Sequence, residues 1–186
     1  MRRQFHIALV VFTLAFTGAV APLPAGSGAT IIQQMYVIKE LKPEVERVGI
    51  MLDTNVSSVE KLMPQIQRAG ASTGVKVFLT EVKDLKDVAP RYRKLIRDHE
   101  IQALLIVNGE GVMENPIARS FLIKNATTAS IPVFAPDADW INEGASVSIT
   151  KVNGSISLLV NRAAASATAL QIPEKYLERT EYLAVN

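Results

Sequence analysis

The chain contains no cysteine. Thiolate nucleophiles, disulfide staples, thiolate metal sites and lipid-modified cysteine anchors are therefore excluded, and the fold must rest on its core alone. Histidine is almost as scarce: there are two, and His6 lies in the N-terminal apolar segment, so the body of the chain holds only His99. One histidine makes neither a Cys/His metal site nor a convincing Ser–His–Asp triad. Aromatics are 6% of the 186 residues, with a single tryptophan, Trp140. Ala, Val and Ile carry the apolar content instead, which favours helices packed on a parallel sheet over an aromatic-rich sandwich. Net charge is also missing. Without Arg2 and Arg3 of the N-terminal segment, 18 basic residues face 18 acidic ones, so no basic stripe for nucleic acid and no polybasic membrane patch is expected.

What is present begins with that segment. Met1-Arg2-Arg3 precedes an uncharged apolar stretch, Ile7 to Ala21, followed by small residues up to Ala29. This is the layout of a secretory signal peptide, and the apolar stretch is shorter than the ~20 residues of a spanning helix. Residues 1–29 are expected to be a signal peptide and 30–186 a single exported domain, periplasmic or secreted, an uncleaved N-terminal anchor being the alternative. At 48% hydrophobic and 20% charged, the composition is that of a globular domain.

From Thr30 the pattern alternates between helical and strand periods. Ile31, Met35, Ile38 and Leu41 mark a helix stopped by Pro43. Arg47 to Leu52 reads as a buried strand, and Val56 to Thr73 as a helix capped by Asn55 or Ser57, with Pro64 as a kink or late start. Val75 to Val82 is a less buried strand, and Asp84 or Asp87 caps a helix through Glu100. Ala103 to Val107 is all apolar, so both its faces are expected to be covered. A helix from Asn115-Pro116 to Ala129 follows, then strands over Ile131–Ala135 and Ala145–Thr150 with a short helix, Asp137 to Glu143, between them. Val152 to Leu170 reads as an Ala-rich helix, and Glu181 to Val185 as an edge strand. The succession predicts a three-layer α/β domain with a parallel, Rossmann-like or flavodoxin-like sheet.

In such sheets ligands are met beyond the carboxyl ends of the strands. Three loops fall there. Thr54, Asn55, Ser57 and Ser58 follow the first strand and offer donors for a carboxylate, although helix capping accounts for some of them. Asn108 and Glu110 follow the third strand, with Gly109 and Gly111 between and after them. The Gly-x-Gly spacing is too short and too late for a dinucleotide fingerprint. Asp137 stands where the fourth strand gives way to a helix, as a helix cap, a ligand carboxylate or both. Trp140 is either a cleft aromatic or a core filler.

Leu41-Lys-Pro-Glu-Val-Glu-Arg-Val-Gly-Ile-Met-Leu-Asp53, Ala103-Leu-Leu-Ile-Val-Asn-Gly-Glu110 and Ile131 to Ala145 together resemble successive segments of one lobe of ABC-transporter substrate-binding proteins, the branch associated with aromatic amino acids. The resemblance covers roughly residues 30 to 172. It implies the C-terminal lobe of a type I periplasmic-binding fold, no enzymatic activity, no cofactor, a small and amino-acid-like solute, and a membrane permease complex as partner. It also implies that Asp137 meets a ligand ammonium. The loop Leu52-Asp-Thr-Asn-Val-Ser-Ser58 is shorter than the family's and lacks its proline, and Val152-Asn-Gly-Ser-Ile-Ser157 lacks the family's aromatic helix start. A single lobe presents half a cleft, which a homodimer could rebuild. An envelope interaction or sensor subunit without transport function is the alternative.

Overall fold

A computed structural model describes residues 28–183; the predicted signal peptide up to residue 27 lies outside the described residues. The first helix, α1 (Ile31–Leu41), opens on a capping box in which Thr30 and Gln33 satisfy each other's backbone N–H groups. Its apolar stripe, Ile31, Met35, Ile38 and Leu41, is buried as its spacing predicts. Strand β1 (Arg47–Asp53) follows, buried along nearly its whole length. Helix α2 (Val59–Thr73) starts later than its sequence suggests, because the cap is Ser58 rather than Asn55 or Ser57. Pro64 then falls in its second turn, and Gly74 closes it in the left-handed region.

Strand β2 (Lys76–Val82) is only partly buried. Helix α3 (Leu85–His99) is capped at Asp84, and the Asp87 carboxylate accepts from the Lys83 and Asp84 N–H groups. Strand β3 (Ala103–Ile106) is buried throughout. A 3-10 turn at Gly111–Glu114 then leads into α4 (Pro116–Thr128), which Asn115 caps. Strand β4 (Val133–Ala135), α5 (Ala138–Asn142) and β5 (Val147–Val152) complete the part read correctly from periodicity.

The Ala-rich helix expected over Val152 to Leu170 does not form. Strand β5 instead turns through Asn153-Gly154 into β6 (Ser155–Asn161), its antiparallel partner. Both turn residues have positive φ, 50° and 81°, as a type I′ hairpin requires. Only the end of the predicted helix survives, as α6 (Arg162–Ala167). The short α7 (Glu174–Leu177) and β7 (Thr180–Leu183) follow; β7 is the predicted edge strand, and its described part ends at Leu183.

The sheet has seven strands in the order β2-β1-β3-β4-β5-β6-β7. Strands β1 to β5 are mutually parallel, β6 runs against β5, and β7 is parallel to β6. The architecture is thus the expected three-layer α/β fold, with a sheet mostly rather than wholly parallel. One core joins α1 and α2 to one face of the sheet, where Met35, Ile38, Ile50 and Leu105 are fully or almost fully buried. The second joins α3, α4 and α5 to the other face through Leu95, Leu122, Trp140 and Ile141. No described helix is long and apolar enough to cross a membrane.

Candidate functional site

Parallel strands bring the loops after β1, β3 and β4 to one edge of the sheet. The loop after β1 is built around Asp53, which is fully buried. Its Oδ1 accepts from the Asn55 N–H at 2.7 Å, and its Oδ2 from the Val112 N–H at 2.6 Å. One carboxyl thus ties two loops together, and a buried carboxyl needs such partners. Gly111 makes room for it: φ is +64°, and a Cβ there would collide with Asp53 Oδ2.

The four polar residues predicted beside Asp53 are largely engaged in the same structural task. Thr54 Oγ1 donates to the Val82 carbonyl, and Asn55 Nδ2 donates to the Lys83 carbonyl at 2.8 Å. Ser57 Oγ receives Asn108 Nδ2 at 2.8 Å. Ser58 Oγ accepts from the Lys61 N–H as the cap of α2. None of the four lines the groove described next.

That groove, of about 470 Å³, lies along the same edge between the loops after β3 and β4, the end of β5 and the start of α1. Asn108, Glu110 and Asp137, all singled out from sequence, line it. Asp137 caps α5: its Oδ1 accepts from the Asp139 N–H at 3.0 Å and from the Trp140 N–H at 3.3 Å. Its Oδ2 packs against the backbone of Gly109, where no Cβ could fit. The cap and ligand roles open to Asp137 in the sequence are therefore compatible, one oxygen serving the helix. Trp140 points inward and is fully buried, so it is a core filler and presents no aromatic face to the groove.

Several lining residues are not marked as ligand contacts by the sequence. Gln34, on the inner turn of α1, donates Nε2 to the Ala29 carbonyl at 3.1 Å. This fixes the amide's orientation, since the reverse would set two acceptors together. The remaining oxygen, Oε1, is shut off from solvent and has no donor among the described residues. Glu114 and Asp139 add carboxylates, and Arg119 adds a guanidinium held in an ion pair with Glu143. Helical periodicity marks Gln34 as part of α1 but says nothing of what its first turn faces.

A second hollow, of about 580 Å³, adjoins the first and shares Pro136, Asp137 and Thr150 with it. It runs over β5 and β6 toward the start of β7, on the surface the hairpin creates. Ser148 lines it, fully buried, with its hydroxyl unpartnered. No group of three or more acidic or His side chains among the described residues is placed to hold a metal ion.

A three-layer α/β lobe with its polar loops gathered at the carboxyl edge of a mostly parallel sheet is the architecture of a periplasmic-binding-protein lobe. The chain belongs to the ABC transporter substrate-binding protein family, whose profile matches residues 27–156. That is a family of binding proteins, not of enzymes. Solved structures agree on the fold. A conserved domain protein from Vibrio cholerae superposes with a TM-score of 0.67 at 18% identity, over 84% of this chain and 61% of its own. A ligand-free, open substrate-binding protein with adhesive properties from Clostridium difficile gives 0.65 at 16%, over 85% and 61%. An ABC domain in complex with L-Trp from Streptococcus pneumonia gives 0.63 at 15%, over 81% and 59%. The chain thus spans about three-fifths of the length of these structures. No curated protein sequence matches it.

Proposed function

We propose that the chain is an exported solute-binding module of an ABC uptake system, with residues 1–29 as signal peptide and 30–186 as a single lobe. The groove along Asn108, Glu110 and Asp137 is its ligand wall, and a small solute bearing an ammonium group, amino acids among them, is its ligand. The observation that carries this reading is Asp137 itself. It stands at a strand-to-helix switch on the carboxyl edge, where open α/β sheets meet their ligands. One oxygen is held by the cap, and Oδ2 accepts no hydrogen bond among the described residues. Thr54, Asn55, Ser57 and Ser58 act behind this wall, shaping the loop that holds Asn108.

One wall buries a ligand incompletely, whereas solute pockets cover most of their ligand's surface. Binding to this lobe alone is therefore weak. A permease complex, a second copy of the chain or further polypeptide supplies the opposite wall. Two copies facing each other would set like charges close together, which a cationic solute between them relieves. The test is a heteronuclear NMR titration of the purified protein with a panel of amino acids, run beside light scattering. Saturable shifts confined to the loops after β3 and β4, lost in Asp137→Ala, support the reading. Shifts elsewhere, or none, overturn it.

A further inference from the structure

The two hollows on either side of Asp137 adjoin along this edge, sharing Pro136, Asp137 and Thr150, as a trough in two parts. Six carboxylates stand along it: Glu110, Glu114, Asp137 and Asp139 in the first hollow or on its rim, Glu178 and Glu181 in the second. None of the six is in an ion pair among the described residues. Against them stand Arg119, committed to Glu143, and Arg179, whose guanidinium donates to the Lys175 carbonyl, with Lys151 beside them. Only Arg119 is neutralised, so the six carboxylates face two cations, Arg179 and Lys151, and the trough carries net negative charge, although the chain as a whole is nearly neutral.

Two further observations point to a ligand rather than a solvated acidic surface. Ser148, at 0% exposure in the wall of the second hollow, and Gln34, in the wall of the first, each hold a solvent-shielded oxygen that has no hydrogen-bond partner among the described residues. Buried polar atoms in native proteins are normally paired, so these two await N–H or O–H donors. The carboxylates are strung out rather than gathered, and no three of them are close enough to hold a metal ion. Spread negative charge suits a cation whose own charges are spread, whereas a point cation needs convergent ligands. Between the carboxylates, the side chains of Pro136, Val152 and Leu159 offer apolar stretches along the second hollow.

We propose that this trough binds a linear amine carrying two or more ammonium groups and no carboxylate. Its ammonium groups pair with the acids on either side of Asp137 and its methylene segments lie against Pro136 and Leu159; one of its N–H groups reaches Gln34 Oε1 or Ser148 Oγ only once the side chains that shut these atoms off from solvent move aside. A zwitterionic amino acid gains the same ammonium contacts but sets its own carboxylate among six others, which is unfavourable. The proposal rests on the solute-binding reading above and narrows its ligand class.

The experiment titrates the purified protein with spermidine, 1,4-diaminobutane, L-lysine, L-tryptophan and Mg²⁺ separately, followed by NMR shifts of the loop amides. Spermidine is expected to bind most tightly, with 1,4-diaminobutane next and the amino acids at least about tenfold weaker; the preference falls as salt is raised. Asp137→Asn keeps a good helix cap, so it should fold normally and bind spermidine about tenfold less tightly, while Glu110→Gln should cost about fivefold. Ser148→Ala removes a buried hydroxyl that no protein group satisfies. It should leave the melting temperature unchanged or raised while weakening spermidine, a pattern no purely structural role would give. If an amino acid equals or surpasses spermidine at these residues, the amine class is overturned and the solute-binding function stands. If Mg²⁺ competes as well as spermidine at equal charge, or Asp137→Asn leaves spermidine binding intact, the trough is no amine site. If neither amines nor amino acids move these amides, both readings fall.

Discussion

The loops after β1 and after β4 stand at the same edge of the same sheet, yet they use their acids in opposite ways. Asp53 is fully buried, and both its oxygens are engaged by backbone N–H groups of two loops. Asp137 is partly exposed, gives one oxygen to the helix behind it, and has the other beside an open groove. The same side chain, two strands apart, is a structural tie in one loop and a candidate ligand contact in the next. What separates them is whether nearby N–H groups use up the carboxylate's acceptor capacity. A polar residue at the ligand edge of a sheet is a site candidate only after that accounting.

The largest effect should come from Asp53→Ala. It strands the Asn55 and Val112 N–H groups and opens space in a packed loop, at a cost of about 3 kcal/mol, or a melting temperature lower by about 10 °C. Thermal melts followed by circular dichroism would show it, and a loss below about 1 kcal/mol would mean that the two loops are held by something else. Gly111→Ala strikes the same tie from the other side. Its φ of +64° and the approach of Asp53 Oδ2 and Val56 predict a loss of about 2 kcal/mol.

Asp137→Ala should cost only about 1 kcal/mol, the worth of one helix cap, and Asp137→Asn close to nothing. Should denaturant titrations place Asp137→Asn level with Asp53→Ala, the distinction between the two loops collapses. A further small effect lies away from this edge, at the far end of α1. Burial works to raise the Glu40 carboxyl, but hydrogen bonds from Lys175 and Tyr176 outweigh it and hold the group below the usual carboxylate range. A lowered folded-state value stabilises above the ordinary glutamate range, and that contribution disappears as pH falls through the lowered value. Lys175 is exposed and Glu40 partly so, and solvent screens the pair, so Glu40→Gln should cost no more than about 0.5 kcal/mol at neutral pH. The difference from the parent should vanish in melts run below the carboxylate range.

Much of the fold was legible because parallel strands covered on both faces leave continuous apolar runs, as in Arg47–Leu52 and Ala103–Val107, and amphipathic helices leave a 3.6-residue stripe. The misreading at Val152–Leu170 has a definite cause. Alanine-rich composition in its second half suggested one long helix, while the Asn153-Gly154 pair in its first half is a strong hairpin signal. The alternation of Ile156, Leu158 and Val160, all turned to one core, is a strand period that the alanines obscured.

The candidate site was half legible. Asn108, Glu110 and Asp137 follow strands directly, so chain order places them at the edge. Gln34 and Ser148 reach the trough only through packing of α1 and through the hairpin, both set by contacts distant in sequence. The burial of Trp140 and the internal use of Thr54 and Asn55 depend equally on neighbours that local pattern does not name.

The Asn153-Gly154 turn also bears on the order in which the chain assembles. Every other pairing in the sheet joins parallel strands and must wait for an intervening crossover to close. The β5–β6 ladder closes over two residues, and hairpins of this kind form within about 1–10 μs. It is the segment best placed to acquire protected amides before the remaining sheet. In pulse-labelled hydrogen exchange during refolding, Ile149 and Leu158, which face each other across the ladder, should gain protection ahead of Ile50 and Leu105 on the parallel strands.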